Sequence, residues 1–158
     1  MIAVNNHTLN LIIEDINQNS IELIKPLWEK NRIYHQQITE HFGYQFANLC
    51  FEDRMKFLNE IDEESTKITI AKDGQKIIGF CISVIEKNVG EIYSLHVDES
   101  CRGNGIGKQI TKSHLDWFHQ HNCKSIKLFV SKENNNSIAF YESLGFRKNL
   151  IEMEIPMQ

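Results

Sequence analysis

The sequence predicts an α+β fold, a central mixed β-sheet flanked by helices in the order β-α-α-β-β-β-α-β-α-β. Three observations carry that expectation. Apolar residues recur at helical spacing over residues 21–37, then with a period of two in three successive runs between residues 67 and 97. Three glycines at alternate positions, Gly103, Gly105 and Gly107, separate the last of those runs from a second helical pattern. An apolar, β-branched run at 126–130 and another helical segment follow, so the glycine loop opens a βαβ crossover. No repeat, low-complexity tract or linker interrupts the 158 residues, and residues 1–158 are read as a single domain.

Each element has its own signal. Leu9–Ile13 reads as a first strand. Ile21, Leu23, Ile24, Leu27 and Trp28 then mark a helix, with Pro26 in its first turns, where a missing N–H is tolerated. A polar and aromatic segment with His41, Phe42, Tyr44 and Phe46 leads to a second helix at about 51–59, built on Phe51, Met55 and Leu58. Residues 67–72 alternate around Ile68 and Ile70, and Asp73-Gly74 signals a hairpin. Residues 76–85 form a more buried strand, and the turn at 87–90 leads into the strand 91–97. Beyond the glycines, Ile106, Ile110 and Trp117 define a helix ending near His121. Residues 134–144 form the last helix, which Gly145 stops. Phe146 and 151–155 are expected to add one or two final strands.

Composition narrows the function. Apolar residues at 41% build a real core, and charged residues at 24% are ordinary for soluble globular proteins. A net charge of −4 argues against nucleic acid as a partner. No run is long enough to span a bilayer, and Met1–His7 lacks the features of a secretory leader. The dispersed Cys50, Cys81, Cys101 and Cys123 form no C-x-x-C pair, which fits reduced thiols in a cytoplasmic protein. The seven histidines match no metal-binding pattern, so no metal is expected.

The glycine loop is the most specific feature. A strand that breaks into glycine and then enters a helix presents free backbone N–H groups at a helix N-terminus, an anion site suited to phosphate. Spacing then discriminates among phosphate loops. A dinucleotide fingerprint needs G-x-G-x-x-G, and here the third glycine falls one residue early. A P-loop needs glycine at 102 and Ser or Thr after Gly107-Lys108, but Arg102 and Gln109 stand there. Arg102, Gly105 and Gly107 match R-x-x-G-x-G. Downstream, Asn134, Tyr141 and Gly145-Phe146 form a second signature in the right order. The two together resemble the GNAT superfamily of N-acetyltransferases, from about residue 67 to the end.

The resemblance implies the GNAT architecture, a mixed α/β sandwich with a splayed sheet, and acetyl-CoA as acyl donor. It implies that Arg102, Gly103, Asn104, Gly105, Ile106, Gly107 and Lys108 hold the pyrophosphate. It also implies that the backbone of Leu95, His96 and Val97 pairs with the pantetheine arm, with an N–H near Val97 facing the thioester oxygen. Asn134 would hydrogen-bond the same arm, or cap the following helix. Glu91, eleven residues before Arg102, has the offset of the family's strand-borne glutamate base, with Tyr93 and His96 as alternatives. Tyr141 would serve as general acid near the thiolate. Strand alternation puts Glu91 on the face of Tyr93, Leu95 and Val97 unless a bulge intervenes.

The implied reaction is direct attack of a primary amine, on a small molecule or a protein, in a ternary complex. The alternative is a non-catalytic acyl-CoA-binding or sensing module. Arg32, His35, Phe42 and Tyr44 are candidates to line the acceptor site, as is Trp28, although Trp28 is read first as a core residue, and a homodimer is compatible with the family.

Overall fold

In a computed structural model, which describes residues 8–157, one five-stranded sheet runs in the order β1-β2-β3-β4-β5. The strands are β1 (Leu11–Ile16), β2 (Thr66–Asp73), β3 (Lys76–Glu86), β4 (Val89–Val97) and β5 (Ser125–Leu128). β1 to β4 pair antiparallel, and β5 joins β4 in parallel. The helices are α1 (Lys25–Ile38), α2 (Gly43–Ala47), α3 (Phe51–Met55), α4 (Ile106–Gln120) and α5 (Asn135–Ser143). Among the described residues, no helix is long and apolar enough to cross a membrane.

The turns follow residue chemistry. The β2–β3 hairpin closes through Gly74 and Gln75, with Gly74 at φ +60° as its first central residue. The β3–β4 hairpin closes through Lys87 and Asn88, both at positive φ, as a two-residue turn matched to strand twist requires. α1 is entered through a 3-10 segment, Gln18–Ile24, and places Pro26 in its first turn. α5 ends as expected: Gly145 takes φ +100°, and the Phe146 N–H donates to the Tyr141 carbonyl at 3.1 Å.

The sheet separates two cores. Ile24, Leu27, Trp28, Phe51, Met55 and Leu58 pack on Ile68, Ile70, Phe80, Ile82 and Val84 on one face. Ile106, Ile110 and Phe118 of α4 pack on Ala71, Ile78, Cys81 and Ile92 on the other. Between sheet and α4, His114 is fully buried and hydrogen-bonds Ser83 Oγ through Nδ1 (2.6 Å) and Thr69 Oγ1 through Nε2 (2.9 Å). The Thr69 hydroxyl spends its one proton on Asp15 at 2.5 Å, so it accepts from His114. That places a proton on Nε2, and burial keeps the imidazole neutral.

Two local expectations change. The polar and aromatic segment after α1 contains the short helix α2, and the helix expected over 51–59 is divided into α3 and a 3-10 turn, Lys56–Glu60. No strand forms after Gly145. Residues 146–157 belong to no ladder, and Ile151 and Met153 are each 90% exposed. Strand-like alternation is present in that segment, but a strand also needs a neighbouring edge, and among the described residues the segment pairs with none.

Candidate active site

The β4 strand sets the geometry. Ile82 pairs with Ser94 and Ser83 with Ile92, so Tyr93 is an extra residue and β4 bulges there. A bulge reverses the side-chain alternation, and it corrects the expected facing of Glu91. Glu91 lies opposite Val84 and His96 opposite Phe80, on the α1–α3 face, and Tyr93 packs against the same core. Leu95 and Val97 face α4 and α5 instead.

The parallel pairing of β4 with β5 runs from Val89/Ser125 to Ile92/Leu128 and stops at the bulge. β4 continues to Val97 paired with β3 only. Its backbone from Tyr93 onward therefore has no strand partner on the β5 side among the described residues, which leaves an opening between the strands. Glu91 stands at the closed end of that opening. Its carboxylate lies 3.9 Å from Lys127 Nζ, and its side chain is 22% exposed. Tyr93 stacks on Phe57 with ring centroids 4.1 Å apart, and the Arg54 guanidinium covers the Tyr93 ring at 4.6 Å. This aromatic and cationic wall was not legible as a unit, because Arg54, Phe57, Tyr93 and Lys127 come from separate elements.

At the other end of β4, Asp98 anchors the turn. It accepts from the Ser100 N–H (3.2 Å) and hydroxyl (2.9 Å) and pairs with Lys30 of α1 at 2.8 Å. These contacts, Lys30 first, hold its carboxyl well below the usual range. The loop then passes Gly103 at φ +82° and Gly105 at φ +74° into α4. A Cβ built on either glycine meets nothing within 4 Å, so the left-handed backbone, not crowding, requires glycine there. Gly107 differs: a Cβ there would touch Val97 and Phe140 at an ordinary 3.6 Å.

The first-turn N–H groups of α4, from Ile106 to Lys108, have no partner within the helix and lie at the positive end of its 15 residues. Arg102 is directed back, donating from Nε to the Val97 carbonyl (3.1 Å) and lying over the Tyr34 ring at 5.7 Å. Asn104 Nδ2 donates to the Cys101 carbonyl and braces the turn. Lys108 is exposed beside them. This cradle of N–H groups and cations fits a diphosphate.

The second motif lies on the α4 side. Asn134 is buried and its Oδ1 accepts from the Ser137 N–H at 3.3 Å, so it caps α5. Tyr141 packs edge-on to Phe140 and Phe146, within the core that includes Leu95 and Val97. Burial pushes its phenol pKa up, so it holds its proton at neutral pH. His96 is buried near Phe80, and burial, with Arg102 nearby, pushes it down to about 4. It is therefore a neutral imidazole at pH 7. Of the residues expected at the acceptor site, Trp28 is core, edge-on to Phe51. Arg32 is spent on Glu29 and the Phe46 carbonyl, and His35 stacks on Phe46 at 5.2 Å.

A bulged strand, a parallel neighbour that parts from it and a glycine-lined helix entry make up the candidate site. Residues 29–146 match the model of the acetyltransferase (GNAT) family, and the chain belongs to that family. It is 29% identical over 103 residues to a mycothiol acetyltransferase of Renibacterium salmoninarum, an alignment covering 61% of this chain and 27% of that protein. It is 32% identical over 100 residues to an uncharacterized N-acetyltransferase of Methanocaldococcus jannaschii, covering 59% of this chain and 43% of the relative. The chain thus spans well under half the length of these curated relatives.

Among solved structures, a mutant of the BH1408 protein from Bacillus halodurans superposes with a TM-score of 0.74 at 23% identity, covering 93% of this chain and 99% of that one. An aminoglycoside N-acetyltransferase, AAC(6')-Iy in complex with CoA, superposes at 0.66 with 17% identity, covering 93% and 99%. These likenesses are of fold.

Proposed function

We propose that this protein transfers the acetyl group of acetyl-CoA to a primary amine by direct attack in a ternary complex. The observation that carries the reading is the opening between β4 and β5, with the diphosphate cradle at one end and Glu91 at the other. Acetyl-CoA supplies the activated acyl group as a thioester. The cradle from Arg102 to Lys108 holds the diphosphate. The backbone of Leu95, His96 and Val97, which has no strand partner on the β5 side, binds the amide arm as an added strand, with an N–H near Val97 facing the carbonyl oxygen.

Glu91 and Tyr141 divide the proton work. An alkylammonium with a pKa of ~10 cannot attack until it loses a proton. Glu91 takes that proton on the α1–α3 face, directly or through water. The amine nitrogen then bonds the acetyl carbon, and the carbon–sulfur bond breaks. Tyr141, kept protonated by burial, gives its proton to the departing sulfur from the α4–α5 face, and the second proton shed by the new amide nitrogen restores the phenol through water. The two groups approach the same bond from opposite faces of the sheet, which is possible only where β4 and β5 part. Asn134 positions Tyr141 by capping α5 and also borders the amide arm.

The acceptor is a small-molecule or protein amine entering past Tyr93, Phe57 and Arg54. The test is release of free CoA thiol from acetyl-CoA over a panel of amines, beside thermal shifts with CoA, ATP and NAD. Thiol release with at least one amine and a shift with CoA alone are expected. Tight CoA binding with no amine-dependent thiol would instead make the protein a sensing or carrier module. A preference for ATP or NAD would sink both readings.

A further inference from the structure

We infer that, given the acetyl transfer proposed above, the acceptor is an amino acid whose ammonium group is presented to Glu91 while Arg54 holds its carboxylate. Arg54 stands in the last turn of α3 and lays its guanidinium over the Tyr93 ring at 4.6 Å. It makes no ion pair among the described residues. The two acidic residues beside it in α3 are engaged elsewhere, Glu52 with Lys25 and Asp53 with Lys56. Glu91 borders the same ring from β4, and Arg54 and Glu91 are the two charged groups that act on the Tyr93 phenol. They do not pair with each other. Two opposite charges that flank one aromatic ring without meeting form a dipolar slot, and a zwitterion complements both ends.

The rest of the entrance adds positive charge. Lys127 Nζ stands 3.9 Å from the Glu91 carboxylate and 5.6 Å from the centre of the Phe129 ring. Further along β4, His96 is neutral at pH 7, and so is His35, which burial also pushes down. Around the proposed base, Arg54 and Lys127 are therefore set against the carboxylate of Glu91. A polyamine or an aminoglycoside would bring several ammonium groups towards those cations, and like charges brought together cost binding. An amino acid brings one group of each sign. The planar guanidinium offers a carboxylate two parallel N–H donors, a match that an ammonium lacks.

Packing sets the spacing of the two ends. The Tyr93 hydroxyl donates to the Arg54 carbonyl at 3.3 Å, and its ring stacks on Phe57 at 4.1 Å, which ties α3 to the bulge of β4. With the carboxylate held by Arg54, the amine loses its proton to Glu91 and attacks. The nitrogen–carbon bond forms and the carbon–sulfur bond breaks, giving an N-acetyl amino acid, free CoA thiol and one proton passed to solvent.

The test follows amine-dependent thiol release for the common amino acids, spermidine, kanamycin and O-phosphoethanolamine. The best amino acid is then compared with its amide and with the amine left when its carboxylate is removed. It should exceed both in kcat/KM by roughly tenfold or more, the range of a charge-assisted contact. Arg54→Gln should abolish that preference through KM, while the decarboxylated amine changes by no more than about twofold, and Arg54→Lys should recover part of it. Calorimetry with CoA bound reads the affinity for the amino acid without turnover, and Arg54→Gln should weaken it by a similar factor. Equal rates for the amino acid and its amide, or a preference for spermidine, kanamycin or O-phosphoethanolamine, overturns the amino-acid assignment and leaves acetyl transfer standing. So does an Arg54→Gln loss shared by every acceptor, which is what a structural role would give. Thiol release with no amine counts against acetyl transfer itself. Calorimetry then decides the Arg54 contact: amino-acid binding that is absent, or indifferent to Arg54→Gln, overturns it.

Discussion

Glu91 and His114 show how one neighbour decides what a titratable side chain does. Glu91 lies on a strand end, where solvent exposure would be ordinary, yet the bulge at Tyr93 and the parallel register of β5 set Lys127 beside it. Glu91→Gln keeps the size and removes the base. It should leave acetyl-CoA affinity nearly unchanged and cut amine-dependent turnover on the order of a hundredfold. Calorimetry with CoA and thiol-release kinetics measure the two arms, and undiminished turnover would remove Glu91 from the mechanism.

His114 is the opposite case, a histidine with no access to substrate. Burial, with Lys67 near, pushes it down to about 3. The folded state thus refuses a proton that the unfolded chain accepts below about 6.5. Stability should therefore fall as pH drops from 7 towards 5, by up to ~1.4 kcal/mol per pH unit for each such histidine. His96, pushed down to about 4, acts in the same direction. Urea midpoints across that range check the slope, and His114→Leu should reduce the slope even if it lowers stability at every pH.

Among the elements, the contact between α4 and β4 positions the cradle relative to the open strand. Gly90 of β4 lies under the Phe118 ring, and a Cβ there would come within 2.5 Å of it. Gly90→Ala should cost on the order of 1–3 kcal/mol by overpacking, read as a lower denaturant midpoint with m unchanged. Gly105→Ala tests the other end of the same unit. Its surroundings are open, so the loss should come from the left-handed backbone, about 1 kcal/mol, together with weaker CoA binding. Gly107→Ala, with ordinary contacts only, should fold as well as the parent.

At the scale of the whole molecule, the two cores lie on opposite faces of one sheet, and the proposed donor site runs through the opening between its last two strands. Ligand binding there should hold β4, β5, α4 and α5 together. Acetyl-CoA at a hundred times its dissociation constant should add about 2.7 kcal/mol to global stability, seen as a concentration-dependent rise in the thermal midpoint. A midpoint indifferent to CoA would count against the site, whatever the fate of the acceptor.

Much of this was legible in the sequence, because it depends on near neighbours. The stop at Gly145, the places of the two hairpins to within a residue or so and the helix after the loop are decided within a few residues, so local chemistry specified them. The same holds for the spacing of Arg102, Gly105 and Gly107 and for family membership. What depends on distant partners was not legible. The bulge at Tyr93 reversed the facing of Leu95 and Val97 relative to Glu91, since register belongs to a pair of strands and not to one. Lys127 reached Glu91, and Arg54 and Phe57 reached Tyr93, only through sheet order and helix packing. The alternating C-terminal segment joins no strand among the described residues, because a strand depends on meeting a distant edge as well as on local alternation.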